Sequence, residues 1–157
     1  MRQENVVAAA WILVVAAAVA AAAAPGSSGQ PVEGVFTTGS GNVTLTLEVA
    51  DSPEEWERGL MERQRLAENH GMLFVFPGER RRVFWMKNTY IPLDIIFIDA
   101  HGQVINVEQA TPEPGVPEDE LTLYRSDAPA KYVVEVNQGF AEKNGIGPGS
   151  QFSFQWR

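Results

Sequence analysis

Hydrophobic and polar residues alternate along Gly41–Ala50, where Val43, Leu45, Leu47 and Val49 are set against Thr44, Thr46 and Glu48. Successive side chains of a strand point to opposite faces, so this run predicts a half-buried β-strand. Met72–Pro77 is a continuous apolar run and predicts a buried strand. Ile95–Ile98 and Val104–Val107 flank Asp99–Gln103 as a hairpin, with Gly102 available for a positive φ. Lys131–Val136 places Tyr132, Val134 and Val136 on one face and Glu135 on the other, and Gln151–Trp156 alternates as a closing strand. Only Ser52–Leu60 breaks to a helical spacing early in the chain. Ser52 suits an N-cap, Pro53 the first turn and Glu55 the return arm of a capping box, while Trp56 and Leu60 share a face. Gly59 is costly in a helix and predicts close approach by another backbone. Gly139–Asn144 suits one helical turn ended by Gly145. Many short strands, frequent Gly/Pro turns and one short helix predict a mainly β fold, an antiparallel sandwich or barrel.

Val6–Ala24 carries no charge and no polar face, which predicts a hydrophobic N-terminal helix acting as a cleaved signal peptide or an uncleaved membrane anchor. Small residues before Pro25 favour cleavage, and the length of the run favours an anchor. Either sends the rest of the chain across a membrane, to an extracytoplasmic location, secreted or membrane-anchored. Pro25–Pro31 has linker composition. The expected division is therefore residues 1–24 as targeting segment, 25–40 as flexible linker and 41–157 as one β-rich domain. Thr111–Glu120, with Pro112, Pro114 and Pro117, predicts a long acidic surface loop.

Composition narrows the function. A net charge of −8 argues against nucleic acid, whose binders need a cationic footprint. Absence of cysteine excludes disulfides, thiolate metal sites and a cysteine nucleophile. His70 and His101 stand alone in predicted loops, and the acidic loop lacks calcium-loop spacing, so no metal is expected. No nucleophile elbow, Walker loop, H-E-x-x-H or dinucleotide fingerprint is present, so no cofactor is expected either. Asn42-Val43-Thr44 matches a glycosylation acceptor, but a tripeptide match is weak and an ordinary strand start is the favoured reading. Gly78–Arg82 reads as a solvated hairpin tip.

The candidate site centres on Phe84–Asp94, where apolar bulk gives way to Lys87, Asn88 and Thr89 before Pro92. Arg58, Trp85, Lys87, Asn88, Thr89, Asp94 and Glu135 combine polar groups or a stacking surface with apolar neighbours. Buried charges must pair or change protonation. One reading is a structural network in which Arg58 or Lys87 clamps Asp94 or Glu135 across a rim lined by Trp85. A second is a pocket for a small molecule or a protein partner, with cations, an amide and a stacking wall. A third is a small hydrolase-like enzyme with Asp94 or Glu135 as general acid/base and Thr89 or Lys87 as nucleophile. A carboxyl with a free face in a pocket and no cationic partner separates the last two from the first.

The blocks Arg58–Arg63, Gly71–Phe76, Phe84–Thr89 with Ile91–Asp94, Lys131–Glu135 and Ile146–Gly149 resemble the domain-of-unknown-function 192 family of bacteria and archaea. The resemblance covers roughly Val43–Phe154 and implies a compact β-sandwich of jelly-roll type with a short helix. It implies no particular activity. Where that family often has a carboxylate after the last glycine turn, this chain has Ser150.

Overall fold

Alternation along the strand predicted at Gly41–Ala50 buries Leu45, Leu47 and Val49, and this strand anchors a mainly β chain. The computed structural model describes residues 29–156. In order these form β1 (Val32–Thr38), β2 (Gly41–Ala50), α1 (Pro53–Arg58), β3 (His70–Arg80), β4 (Val83–Phe84), β5 (Leu93–Ile98), β6 (Val104–Ala110), β7 (Tyr124–Arg125), β8 (Ala130–Asn137), α2 (Phe140–Lys143) and β9 (Gln151–Phe154). A 3-10 turn at Glu118–Glu120 sits in the acidic loop. The expected N-terminal helix at Val6–Ala24 lies outside the described residues.

Seven strands form one sheet in the order β6-β5-β8-β3-β2-β1-β9, and β4 with β7 makes a small ribbon. The sheet curls into a half-barrel. At one end its edges meet, where Val104 N–H donates to Ser150 O at 2.9 Å and Phe152 N–H donates to Gly102 O at 2.7 Å. The expected antiparallel sandwich or barrel is met by the curled sheet and corrected in one pairing, because β2 and β3 pair in parallel through the α1 crossover. Such a crossover is how adjacent parallel strands connect. The helical turn expected at Gly139–Asn144 is α2, and the described residues also carry the 3-10 turn, which the sequence did not announce.

The expected linker over 25–40 is corrected as well. Val32–Thr38 within it is β1, paired with β2 on one side and β9 on the other, and Phe36 is fully buried. The linker reading rests on the composition of Pro25–Pro31 and extends too far along the chain, past Gly34. A β-carbon there would stand 2.5 Å from Leu47 Cδ1 and 2.9 Å from Phe152 Cε2, so the glycine permits close packing inside a strand.

Apolar side chains collect on both faces of the sheet. One cluster, containing Phe36, Leu47, Leu73, Ile96, Val134 and Phe152, packs with α2. The other, containing Met72, Phe74, Phe76, Ile95, Phe97 and Val133, is covered by Leu60, Met86 and Ile91, with Trp56 packed against it. Strand β5 contributes to both faces and is buried at every position. The predicted capping box of α1 is present: Glu55 N–H donates to Ser52 Oγ at 3.4 Å, and Ser52 N–H donates to Glu55 Oε2 at 3.2 Å.

Candidate functional site

Glu135 lies on β8 opposite Met72 of β3 and Ile95 of β5, so pleating turns it to the face of Val133 and the second apolar cluster. It is 5 % exposed. Its carboxyl makes no hydrogen bond or ion pair with any described residue. Burial penalises the charged form and pushes its pKa from 4.5 up to about 8. The group is therefore a neutral acid at pH 7.

A cavity of about 520 Å³ opens above this carboxyl. Trp56, Phe74, Phe76, Phe84 and Trp85 wall it, and Arg58, Arg80 and Arg81 stand among its lining residues as exposed cations. The rings brace one another: Trp56 and Phe76 centroids are 5.0 Å apart, and Phe74 meets Phe84 edge-on at 5.0 Å. Gly59 ends α1 with φ 46°, where a β-carbon would stand 3.2 Å from Phe74 Cζ and 3.8 Å from Glu135 Oε2. Side chains, not the backbone expected from the sequence, crowd this glycine.

The solvated-tip reading of Gly78–Arg82 is corrected at Arg82, which is buried. Its guanidinium lies 3.7 Å above the Phe76 ring and donates to Ala130 O at 3.1 Å and to Gly78 O. Desolvation, then the neighbouring Arg80, lowers its pKa to about 10. Arg82 is thus part of the wall. Arg81 Nη1 donates to Ser126 O at 3.3 Å, while Arg58 and Arg80 hold no ion pair with any described residue.

The remaining predicted residues divide. Strand β4 stops at Phe84, and a turn follows in which Thr89 N–H donates to Met86 O at 3.1 Å. Thr89 lines the cavity, but its hydroxyl donates to Lys87 O at 3.0 Å and so serves the turn. Asn88 adopts φ 49° and its carbonyl accepts from Glu62 N–H at 2.7 Å. Lys87 Nζ pairs with Glu118 Oε2 at 2.8 Å and lies 5.3 Å from the Trp85 ring centroid. Lys87 and Asn88 line a neighbouring groove that they share with Arg58.

Asp94 stands apart. It is opposite Val136 in register, on the face away from Glu135, and its Oδ2 accepts from Ala141 N–H at 2.9 Å at the start of α2. Oδ1 is buried without a partner among the described residues. The expected clamp between Lys87 and Asp94, and any pocket shared by Asp94 and Glu135, are therefore corrected. Of the seven predicted residues, Arg58, Trp85, Thr89 and Glu135 share the cavity.

The model of the family called domain of unknown function 192, described as an uncharacterized ACR, matches residues 35–154. This chain belongs to that family. No curated protein matches the chain. The domain-of-unknown-function 192 chain is similar to the crystal structure of a candidate transcription regulator from Sinorhizobium meliloti 1021, with TM-score 0.72 and 36 % identity over 79 % of this chain and 93 % of that one. It is also similar to a protein of unknown function from Novosphingobium aromaticivorans DSM 12444, with TM-score 0.73 and 35 % identity over 86 % of this chain and 94 % of that one.

In this family member Ser150 closes its own turn by accepting from Gly147 N–H at 3.2 Å. It is buried beside the bridged edges of the sheet and has no place in the cavity lining. Sequence reasoning missed Phe76, Arg80 and Arg81 as site residues, included Phe84 only as the start of the central stretch, and read Trp56 only as sharing a helix face with Leu60. Their signal was weak, since an aromatic in a strand reads as core and an arginine in a turn reads as solvated surface.

Proposed function

We propose that this member of the family is a binding module, exported or membrane-anchored through Val6–Ala24, that holds a small molecule in the cavity over Glu135. One observation carries this reading: a buried carboxyl without a partner opens into an aromatic-walled cavity. A structural network would have consumed that carboxyl, as Arg63 consumes Glu48 at 2.5 Å elsewhere. The cavity volume lies in the range typical of small-molecule sites, and apolar walls with few polar groups are the usual composition. The regulator description belongs to the Sinorhizobium protein. A net charge of −8 and a small arginine cluster with one buried member do not favour a phosphate-backbone surface here. The localisation rests on the uncharged Val6–Ala24 run alone, and recovery of the full-length protein from native cytosol would remove it.

The test is a fragment screen on the full chain, read by amide resonances. Binders should shift signals of Gly59, Phe74 and Glu135, and Trp85→Ala should weaken them. A screen that moves none of these signals removes the reading.

A second reading is a hydrolase-like enzyme, favoured by the same neutral acid, which is the form a general acid requires. It loses ground because Thr89 is tied to its turn, Lys87 to Glu118 and Asp94 to the opposite face. Turnover of a chromogenic ester panel that disappears in Glu135→Gln would put the enzyme first.

A further inference from the structure

The charges around the cavity are unevenly placed. On a chain of net charge −8, its lining residues include Arg58, Arg80, Arg81 and Arg82 against only Glu57 and Glu135. Arg82 is spent on backbone carbonyls and on Phe76, whereas Arg58 and Arg80 are exposed without an ion pair among the described residues and Arg81, also exposed, gives only Nη1 to Ser126 O. Guanidinium groups present a planar fork that matches a carboxylate or phosphate with two parallel hydrogen bonds. The other lining residues include half-buried and buried aromatic rings and the buried Glu135 carboxyl.

We propose that the ligand is a small amphiphilic oxyanion, whose carboxylate or phosphate head sits on the exposed arginines while its aryl or acyl body lies between the aromatic walls and reaches Glu135. This deepens the binding reading above and rests on it. A cationic amphiphile meets three arginines at the mouth, and a neutral one leaves their hydrogen-bonding capacity to water. The inner end agrees with an anion only while Glu135 is protonated, and burial keeps it so up to about pH 8. Charged groups on the elements packed around it are Glu57 and Arg58 at the end of α1, and Arg80, Arg81 and Arg82 at the end of β3 and in the following turn. In the sheet its neighbours are Met72 and Ile95, both apolar.

The experiment titrates the full chain, in phosphatidylcholine nanodiscs with empty discs as blank, using phenylbutyrate, phenylbutyramide and phenylbutylamine. These probes share one body and differ in head charge. Phenylbutyrate should bind about tenfold more tightly than the amide, as one charge-assisted hydrogen bond predicts, with the amine weakest. Arg58→Gln with Arg80→Gln should reduce phenylbutyrate binding to the amide's level, both side chains being exposed and without an ion pair among the described residues. Phenylbutyrate affinity should fall as pH rises through about 8, and Glu135→Gln should abolish that fall. Equal binding of acid and amide, preference for the amine, or arginine variants without effect overturns the inference. If the fragment screen finds binders at Gly59 and Glu135 that show no preference for anions, this inference alone fails. If neither the screen nor any of the three probes moves those signals, the binding reading fails with it.

Discussion

Lys87 Nζ stands 2.8 Å from Glu118 Oε2 and so fastens the turn after β4 to the acidic loop. The pair is partly open to solvent, with side chains 31 % and 57 % exposed, so water screens most of its attraction. Lys87→Met and Glu118→Gln should each cost no more than about 1 kcal/mol, with a coupling of about 0.5 kcal/mol. Asp94, on the other face and bonded to Ala141 N–H, shares no partner with Lys87. Changes at Lys87 and Asp94 should therefore add within about 0.5 kcal/mol in a double-mutant cycle read by urea titration. Coupling above about 1 kcal/mol between those two would contradict the placement described here.

How α1 meets the sheet yields a second expectation. Trp56 packs on Phe76, and its indole N–H donates to Ala50 O at 3.1 Å, while Leu60 just beyond the helix is buried at 2 % exposure. Trp56→Ala should cost about 3 kcal/mol through lost contacts and a cavity. Ser52→Ala removes only a cap and should cost about 1 kcal/mol. Equal losses in a denaturant titration would mean that the helix is held by its caps and not by its docking. Because Trp56 also walls the cavity, its variant should bind ligand more weakly, and Ser52→Ala should not.

What the sequence displayed of all this follows the range of the interactions. Helix α1 was legible because Ser52, Pro53 and Glu55 settle its start within four residues, and the β5–β6 hairpin because its turn is local. Asp99 Oδ1 accepts from both His101 N–H and Gln103 N–H at 2.8 Å there. The parallel pairing of β2 with β3 depends on a crossover and leaves no local mark. Strand β1 is passed over when the linker composition of Pro25–Pro31 is extended to residue 40, and the close packing at Gly34 is visible only once Leu47 and Phe152 are in place. Burial of Arg82 depends on Ala130 and Phe76, one distant in sequence and the other ordinary core. The candidate site was half legible. Glu135 stood out as the polar position of a strongly apolar strand, and Trp85 and Arg58 as bulk or charge beside it. The Lys87–Asp94 pairing failed because proximity in sequence was read as proximity in space, whereas β5 turns Asp94 to the opposite face.

Glu135 also makes stability depend on pH in a direction opposite to that of a paired carboxylate. In the unfolded chain the group gives up its proton near 4.5, whereas in the folded chain it keeps it up to about 8. Between those values the folded state binds more protons than the unfolded state, so stability falls as pH rises. Below about 4.5 the group is neutral in both states, and above about 8 it is charged in both. The loss is therefore confined to that window and complete at its upper end. At about 1.4 kcal/mol per pH unit it amounts to several kcal/mol, a large share of a small domain's stability. Glu135→Gln keeps the shape and a hydrogen-bond donor but cannot ionise. The variant should be slightly less stable than the native protein near pH 5, by about 1 kcal/mol for the buried amide, and more stable at pH 9. Urea midpoints measured across this range should cross between the two proteins. Parallel curves would mean that the carboxyl reaches water or an unseen cation when folded, and the neutral-acid description of the cavity would have to be given up.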